Sequence, residues 1–98
     1  MATEWAPHKI RVNCIAPGTI ETEGLEVYPE KVLERLHKAN PMQKLGNVWD
    51  IAESAIYLSS DTGSFITGEV LTIDGGMAQW GVVWTAGTPD YFKMDGGD

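Results

Sequence analysis

The sequence has a single cysteine, Cys14, so one chain cannot form an internal disulfide bond, as is usual in reducing compartments. Basic residues are few: seven Lys and Arg against 14 Asp and Glu give a net charge of −7. Nucleic-acid phosphates and anionic membrane surfaces repel such a chain, so we expect neither as a partner. Residues 1–5 have no basic start and no apolar run, so we do not expect them to belong to a signal peptide, and no apolar run in the sequence approaches the ~18 residues of a membrane span. We therefore predict a cytoplasmic protein.

Several motifs that carry chemistry are missing as well. The eleven glycines include no G-x-G-x-x-G and no P-loop, so the usual phosphate-binding loops are absent. His8 and His37 lie far apart with no further ligand at metal-binding spacing, and we predict no metal site. The glutamates at 21, 23 and 26 are expected to form a solvated acidic loop rather than a paired-carboxylate site. Cys14 is predicted to be a small buried side chain and not a nucleophile.

The chain does contain two strand patterns. Residues 10–15 place Ile10, Val12 and Cys14 on one face, and the turn-forming Ala16-Pro17-Gly18 ends the run. Residues 69–74 are rich in β-branched side chains, and Gly75-Gly76 closes them. We predict one strand over 10–15 and another over 69–74.

Helical patterns fill most of the remaining sequence. Pro7 ends a short N-terminal helix, and Pro29 suits the first position of the next one, which Asn40-Pro41 terminates. Asn47 is a good N-cap for a third helix, with Asp50 in its first turn. The apolar side chains at helical spacing are Val32, Leu33 and Leu36 in the second helix and Val48, Ile51, Ala52, Ala55 and Leu58 in the third.

The order strand, helices, strand predicts a parallel β-α-β unit. Parallel strands occur in sheets that are covered on both faces, and two strands alone make a poor sheet. The strand at 10–15 has a free edge that nothing else in the sequence is expected to pair with. Further strands are therefore expected from an upstream segment or from another chain.

Two segments resemble the short-chain dehydrogenase/reductase family. Residues 10–22 are similar to its I-R-V-N-x-I-x-P-G-x-I-x-T motif, and residues 66–76 to its I-T-G-x-x-L-x-V-D-G-G motif. The intervening segments 40–46 and 50–52 also fit the family, and the likeness runs from residue 4 to 76. It implies an α/β fold, the C-terminal part of a Rossmann-like doubly wound parallel sheet. Residues 1–98 would form a single partial domain, with 77–98 as a tail.

The resemblance implies a cofactor-binding role for Pro17, Gly18, Ile20 and Thr22. The backbone of Ile20 would bond the nicotinamide carboxamide of NAD or NADP, and the Thr22 hydroxyl would contact the same end of the cofactor. Gly18 would allow a ligand to approach the strand end closely. An ordinary strand-ending turn remains the alternative for this chain by itself.

The family's catalytic tyrosine, with a lysine four residues later, has no counterpart here. The residues four positions after Tyr28, Tyr57 and Tyr91 are Val32, Asp61 and Asp95. We therefore predict no catalytic residue in this chain, no cofactor bound by it alone, and no activity of its own. The resemblance implies a parent oxidoreductase acting on an alcohol, a ketone or an enoyl thioester.

A second hypothesis is a stand-alone oligomerisation module derived from the same fold. It predicts a homo-oligomer formed through the last strand and the last helix. The tail carries Trp80, Trp84, Tyr91 and Phe92, which would pack on the body or line a pocket or interface. The last four residues, 95–98, are expected to be disordered.

Overall fold

Residues 1–79 are the part of the chain that the structure, a computed structural model, describes. The predictions for the four tail aromatics and for residues 95–98 lie outside this range. The elements in chain order are the helix α1 (Ala2–Trp5), the strand β1 (Cys14–Pro17), the helices α2 (Glu30–His37) and α3 (Val48–Ser59), and the strand β2 (Val70–Ile73). Short 3₁₀ turns cover Ala6–His8, Glu23–Val27, Asp61–Gly63 and Met77–Gln79.

The two strands form a parallel pair, as predicted. Cys14 lies opposite Val70, and Pro17 lies opposite Ile73. The ladder is extended past β1 by Gly18, whose N–H donates to the Ile73 carbonyl at 2.9 Å. Helices connect the strands in sequence, so the α/β fold class is confirmed. Each strand has only one neighbour within residues 1–79 and keeps one edge unpaired there.

The first strand begins four residues later than predicted, at Cys14 instead of Ile10. The reason is that side chains replace ladder partners before Cys14. The Val12 N–H donates to the Thr67 hydroxyl at 3.1 Å, and the Asn13 carboxamide accepts from the Glu69 N–H at 3.0 Å. One backbone bond precedes the strand, from the Gly68 N–H to the Val12 carbonyl at 2.8 Å, and the regular ladder starts where the Cys14 N–H reaches the Glu69 carbonyl at 2.8 Å.

Burial of Cys14 was predicted wrongly, because its thiol side chain is exposed. Cys14 and its partner Val70 lie on one face of the sheet, where both are exposed, whereas Ile15 and Leu71 on the other face are half-buried. Helix α3 packs against β1, and its Leu58 lines a cavity together with Ile15. Within residues 1–79 the face carrying Cys14 therefore lacks such a cover.

The last helix is fixed at both ends. Asn47 accepts a hydrogen bond from the Trp49 N–H at 2.8 Å, and the Asp50 carboxylate accepts from the Asn47 N–H at 2.7 Å. This reciprocal capping box confirms the predicted N-terminus. At the other end, the Arg11 guanidinium donates to the backbone carbonyl of Leu58, in the last turn of α3, and to those of Ser60 and Ile66 beyond the helix. The helix dipole also favours a cation at this end.

The second helix begins at Glu30, one residue after the predicted Pro29, and ends at His37. Its apolar stripe stays only partly covered: Leu33 and Leu36 are half-buried and Val32 is exposed. No residue of α2 is fully buried. Helix α2 therefore stands away from the small core of the described part.

Large apolar side chains are mostly uncovered in residues 1–79. Leu58 is the buried hydrophobic residue, at 7% exposure, whereas fourteen large apolar side chains are at least 41% exposed. Phe65 reaches 102%. Within this range, no helix has the length and apolar character to cross a membrane.

Candidate functional site

The carboxyl ends of β1 and β2 meet at Gly18 and Asp74. A Cβ atom built on Gly18 would lie 2.8 Å from the Asp74 Cα, closer than real side chains come. The lack of a side chain at Gly18 is therefore explained by contact between neighbouring strand ends. The expected close approach of a ligand to Gly18 stays a prediction. Pro17, the last residue of β1, is exposed.

Ile20 forms an isolated parallel bridge with Gly46. The bridge uses the atoms on either side of Ile20: the Gly46 N–H donates to the Thr19 carbonyl at 2.9 Å, and the Glu21 N–H donates to the Gly46 carbonyl at 2.8 Å. In an extended chain, the groups of successive residues point to opposite edges. The N–H and C=O of Ile20 therefore face away from Gly46, and neither has a hydrogen-bond partner among the described residues.

Thr22 lies two residues further along, at the start of the 3₁₀ turn Glu23–Val27. Its backbone is extended, with φ −140° and ψ 167°, and its carbonyl accepts from the Leu25 N–H at 3.1 Å. The hydroxyl does not cap the turn and has no bond to the described residues. Thr22 is exposed, so this hydroxyl is free to contact a ligand.

Two of the four predicted site residues line neighbouring cavities. Ile20 lines a cavity of about 170 Å³ next to Asp74 and Gly75. Thr22 lines a wider one of about 720 Å³, and Leu45 belongs to the walls of both. Pro17 and Gly18 line neither of them. Of the four predicted residues, the structure brings Ile20 and Thr22 near open space.

The acidic loop borders the wider cavity. Its glutamates at 21, 23 and 26 are exposed and share the cavity wall with His37 and with apolar side chains such as Leu33. In residues 1–79 no group of three or more His, Cys, Asp or Glu side chains is arranged to hold a metal ion. The exposure of the three glutamates agrees with the predicted solvated loop.

Two residues at this site were missed in the sequence. In the sequence Gly46 stands out only as the end of the 40–46 segment that resembles the family, yet in the structure it pairs with Ile20. Asn40 was assigned only to the end of α2, yet it is buried at 6% exposure beside Gly75. A pairing between residues 26 positions apart leaves no periodic signal in a sequence. The sequence offers one local hint of this pairing, which is the glycine at position 46 immediately before the N-cap Asn47.

Comparison with known proteins decides the family. A family model described as enoyl-(acyl carrier protein) reductase matches residues 1–78. The chain belongs to the short-chain dehydrogenase/reductase family. Peroxisomal 2,4-dienoyl-CoA reductase SPS19 of Saccharomyces cerevisiae is 46% identical over 94 residues, which cover 90% of this chain and 29% of the yeast protein. The 3-oxoacyl-[acyl-carrier-protein] reductase FabG of Chlamydia trachomatis is 41% identical over 78 residues, 80% of this chain and 32% of that protein.

A solved short-chain dehydrogenase/reductase has the same local fold. The crystal structure of 3-oxoacyl-[acyl-carrier protein] reductase from Brucella melitensis superposes with a TM-score of 0.73 at 37% identity. The match covers 78% of this chain and 28% of the Brucella chain. The chain thus spans less than a third of the length of these oxidoreductases, which agrees with a partial dehydrogenase domain.

Proposed function

We propose that this chain supplies the nicotinamide end of the cofactor site in an NAD(P)-dependent oxidoreductase. The proposal depends on the backbone of Ile20. The bridge to Gly46 turns the Ile20 N–H and C=O outward, and neither group has a hydrogen-bond partner within residues 1–79. A carboxamide needs one acceptor for its NH₂ and one donor for its carbonyl, and a single residue in this state offers both. The free hydroxyl of Thr22 adds a third polar group two residues away.

The residues of this chain would bind and orient, and would not transfer protons. Ile20 would fix the carboxamide, and through it the ring plane, by two backbone hydrogen bonds. Thr22 would contact the same end of the cofactor. When bound, the nicotinamide supplies the hydride chemistry. The tyrosine–lysine pair and the glycine-rich loop are absent from the 98 residues, so proton transfer and phosphate binding need further polypeptide.

The substrate would be an alcohol, a ketone or an enoyl thioester. Support for this range comes from the similar proteins, whose names assign them 2,4-dienoyl-CoA or 3-oxoacyl-[acyl-carrier-protein] as substrates. The wider cavity beside Thr22 has apolar walls formed by Leu25, Leu33 and Val48, which would suit a hydrophobic chain next to the reacting carbon.

A chimera tests the proposed site. Residues 4–76 would replace their counterpart in the Brucella reductase, to which this chain is 37% identical. Thr22→Val removes the hydroxyl at constant shape and should raise the KM for the cofactor about 3- to 10-fold, because one hydrogen bond is worth ~0.5–1.5 kcal/mol. Thr72→Val, which removes an exposed strand hydroxyl, is the matched control. An unchanged cofactor KM in the Thr22 variant would contradict the assignment.

We propose, as a second function, self-association through β2 and α3. The outer edge of β2 has no partner within residues 1–79, and Val70 on it is 58% exposed. On α3, Trp49 and Ile56 are seven residues apart, share one helical face, and are 64% and 65% exposed. An unpaired strand edge and an exposed apolar helix face are each suited to an isologous contact with a second copy.

Sedimentation equilibrium tests this second proposal. The 98-residue chain should sediment as a dimer or larger species, and Ile56→Glu should shift it toward monomer, while Glu53→Gln on the same helix should not. A wild-type chain that stays monomeric and folded by circular dichroism would refute the self-association.

A further inference from the structure

Asn40 is the one polar residue that residues 1–79 bury. Its Nδ2 donates to the Lys44 carbonyl at 2.7 Å, whereas its Oδ1 is enclosed and has no hydrogen-bond partner in the described part. An unsatisfied buried acceptor costs free energy, and an apolar side chain of the same shape would avoid that cost. The Asn40 carboxamide therefore stabilises the structure through its N–H donor, which ties residue 40 to the Lys44 carbonyl.

The carboxamide is not a cap for α2. Near the end of that helix the carbonyls of Arg35 and Leu36 accept from the N–H groups of Lys38 and Ala39. Asn40 instead reaches forward along the chain to Lys44. It thus acts on the segment after the helix.

That segment rests on the turn that follows β2. The Asn40 Oδ1 lies 2.5 Å from the position a Gly75 Cβ would take, and the Met42 N–H donates to the Gly75 carbonyl at 3.2 Å. The Pro41 ring lies beside Gly76, with its Cγ 3.2 Å from that glycine's Cβ position. Asn40 is therefore anchored to the end of the last strand.

Asn40 is connected to Ile20 through Lys44 and Gly46. The Lys44 carbonyl is held by Asn40, and Gly46, two residues later, forms the bridge that flanks Ile20. The bridge decides which way the Ile20 N–H and C=O point, since it engages only Thr19 and Glu21. Fixing Lys44 thus limits how far Gly46 can move away from Ile20.

We infer that Asn40 is a positioning residue, which holds the Gly46 segment so that the Ile20 backbone faces the cofactor. It acts through Lys44 and Gly46 and touches no cofactor itself. The consequence for cofactor binding rests on the proposed function, but the coupling between Asn40 and the Gly46 bridge does not.

Amide hydrogen exchange in the ¹⁵N-labelled 98-residue chain tests the inference without any cofactor. The readout is the exchange rate of the Gly46 and Glu21 amides relative to the Gly18 amide, which bonds the Ile73 carbonyl in the strand ladder. Asn40→Leu removes the donor and should raise this ratio at least 10-fold. Asn40→Asp keeps the shape without the donor at neutral pH and should raise it to a similar extent.

The matched control is Asn13→Leu. Asn13 also joins two backbone segments, with Nδ2 bonded to the Ile66 carbonyl at 3.0 Å and Oδ1 to the Glu69 N–H. Its loss should speed exchange at Glu69 and leave the Gly46-to-Gly18 ratio unchanged. The inference is overturned if either Asn40 variant leaves that ratio unchanged, because a global loss of stability affects all three amides alike. A Gly46 amide that is unprotected in the wild type overturns it too.

The same variants in the Brucella chimera separate this inference from the proposed function. If Asn40→Leu raises the exchange ratio and also the cofactor KM, both stand. If the exchange ratio rises while the KM of the chimera stays constant, the coupling is present but Ile20 does not serve the cofactor, and the proposed function fails.

Discussion

The turn at Gly75 combines a left-handed backbone with a crowded neighbour. Its φ is +65°, and a Cβ there would lie 2.5 Å from the Asn40 Oδ1. Gly68 offers a natural comparison: its φ is +77°, but the nearest atom to its Cβ position, on Ala2, is 3.6 Å away. At both positions glycine avoids the strain that other residues have in a left-handed backbone conformation. At Gly75 the missing side chain also avoids a collision with Asn40.

Alanine substitution should separate these two effects. Gly68→Ala adds only left-handed strain, about 1 kcal/mol, whereas Gly75→Ala adds a collision in a packed place and should lower the free energy of unfolding by about 2–4 kcal/mol. Combining Gly75→Ala with Asn40→Ala removes the collision partner. The double variant should therefore be more stable than the sum of the two single effects predicts, by ~1–3 kcal/mol.

Urea unfolding followed by circular dichroism measures these differences. Sucrose in the buffer raises the stability of a small domain with little buried apolar surface, so that a folded baseline is available for each variant. Equal destabilisation by Gly68→Ala and Gly75→Ala would refute the close contact with Asn40. Strictly additive effects of the Asn40 and Gly75 substitutions would refute it as well.

Three further predictions concern the remaining contacts. Arg11→Met removes the donors to the carbonyls of Leu58 and Ser60 at the end of α3 and of Ile66 in the segment before β2. It should cost about 2 kcal/mol of unfolding free energy, whereas Lys31→Met, at an exposed position, should stay within about 0.5 kcal/mol; urea titrations compare them. Asn47→Ala removes the capping box and should cost about 1 kcal/mol by the same assay. Phe65→Ser should leave the stability of the chain within about 0.5 kcal/mol, because the ring is fully exposed, yet should lower the Tm of the Brucella chimera, where we expect the added polypeptide to cover it. A stability loss in the chain alone would contradict that exposure.

The sequence was informative where local chemistry decides the structure. Asn47 and Asp50 predicted the start of α3 because a capping box is built from neighbouring residues. The two strand motifs predicted a parallel pair, and their neighbouring ends were found at Gly18 and Asp74. These features depend on residues within one turn or one strand of each other, or on a family pattern that spans both strands.

The features that the sequence did not predict depend on distant side chains. The late start of β1 results from the Asn13 and Thr67 side chains, which bond to backbone groups 56 and 55 positions away. The exposure of Cys14 depends on which face α3 covers, and no alternation in a single strand determines that choice. The bridge from Gly46 and the burial of Asn40 likewise need the complete tertiary arrangement. Cytoplasmic location stays a prediction.

Binding of the reduced cofactor tests the proposed nicotinamide site, measured by calorimetric titration with NADH and with NADPH of the 98-residue chain alone and of the Brucella chimera that contains residues 4–76. We expect one of the two cofactors to bind the chimera and neither to bind the chain alone, because Ile20 and Thr22 form only the nicotinamide end of the site. Binding of either cofactor by the chain alone, or a folded chimera that binds neither, would contradict this assignment.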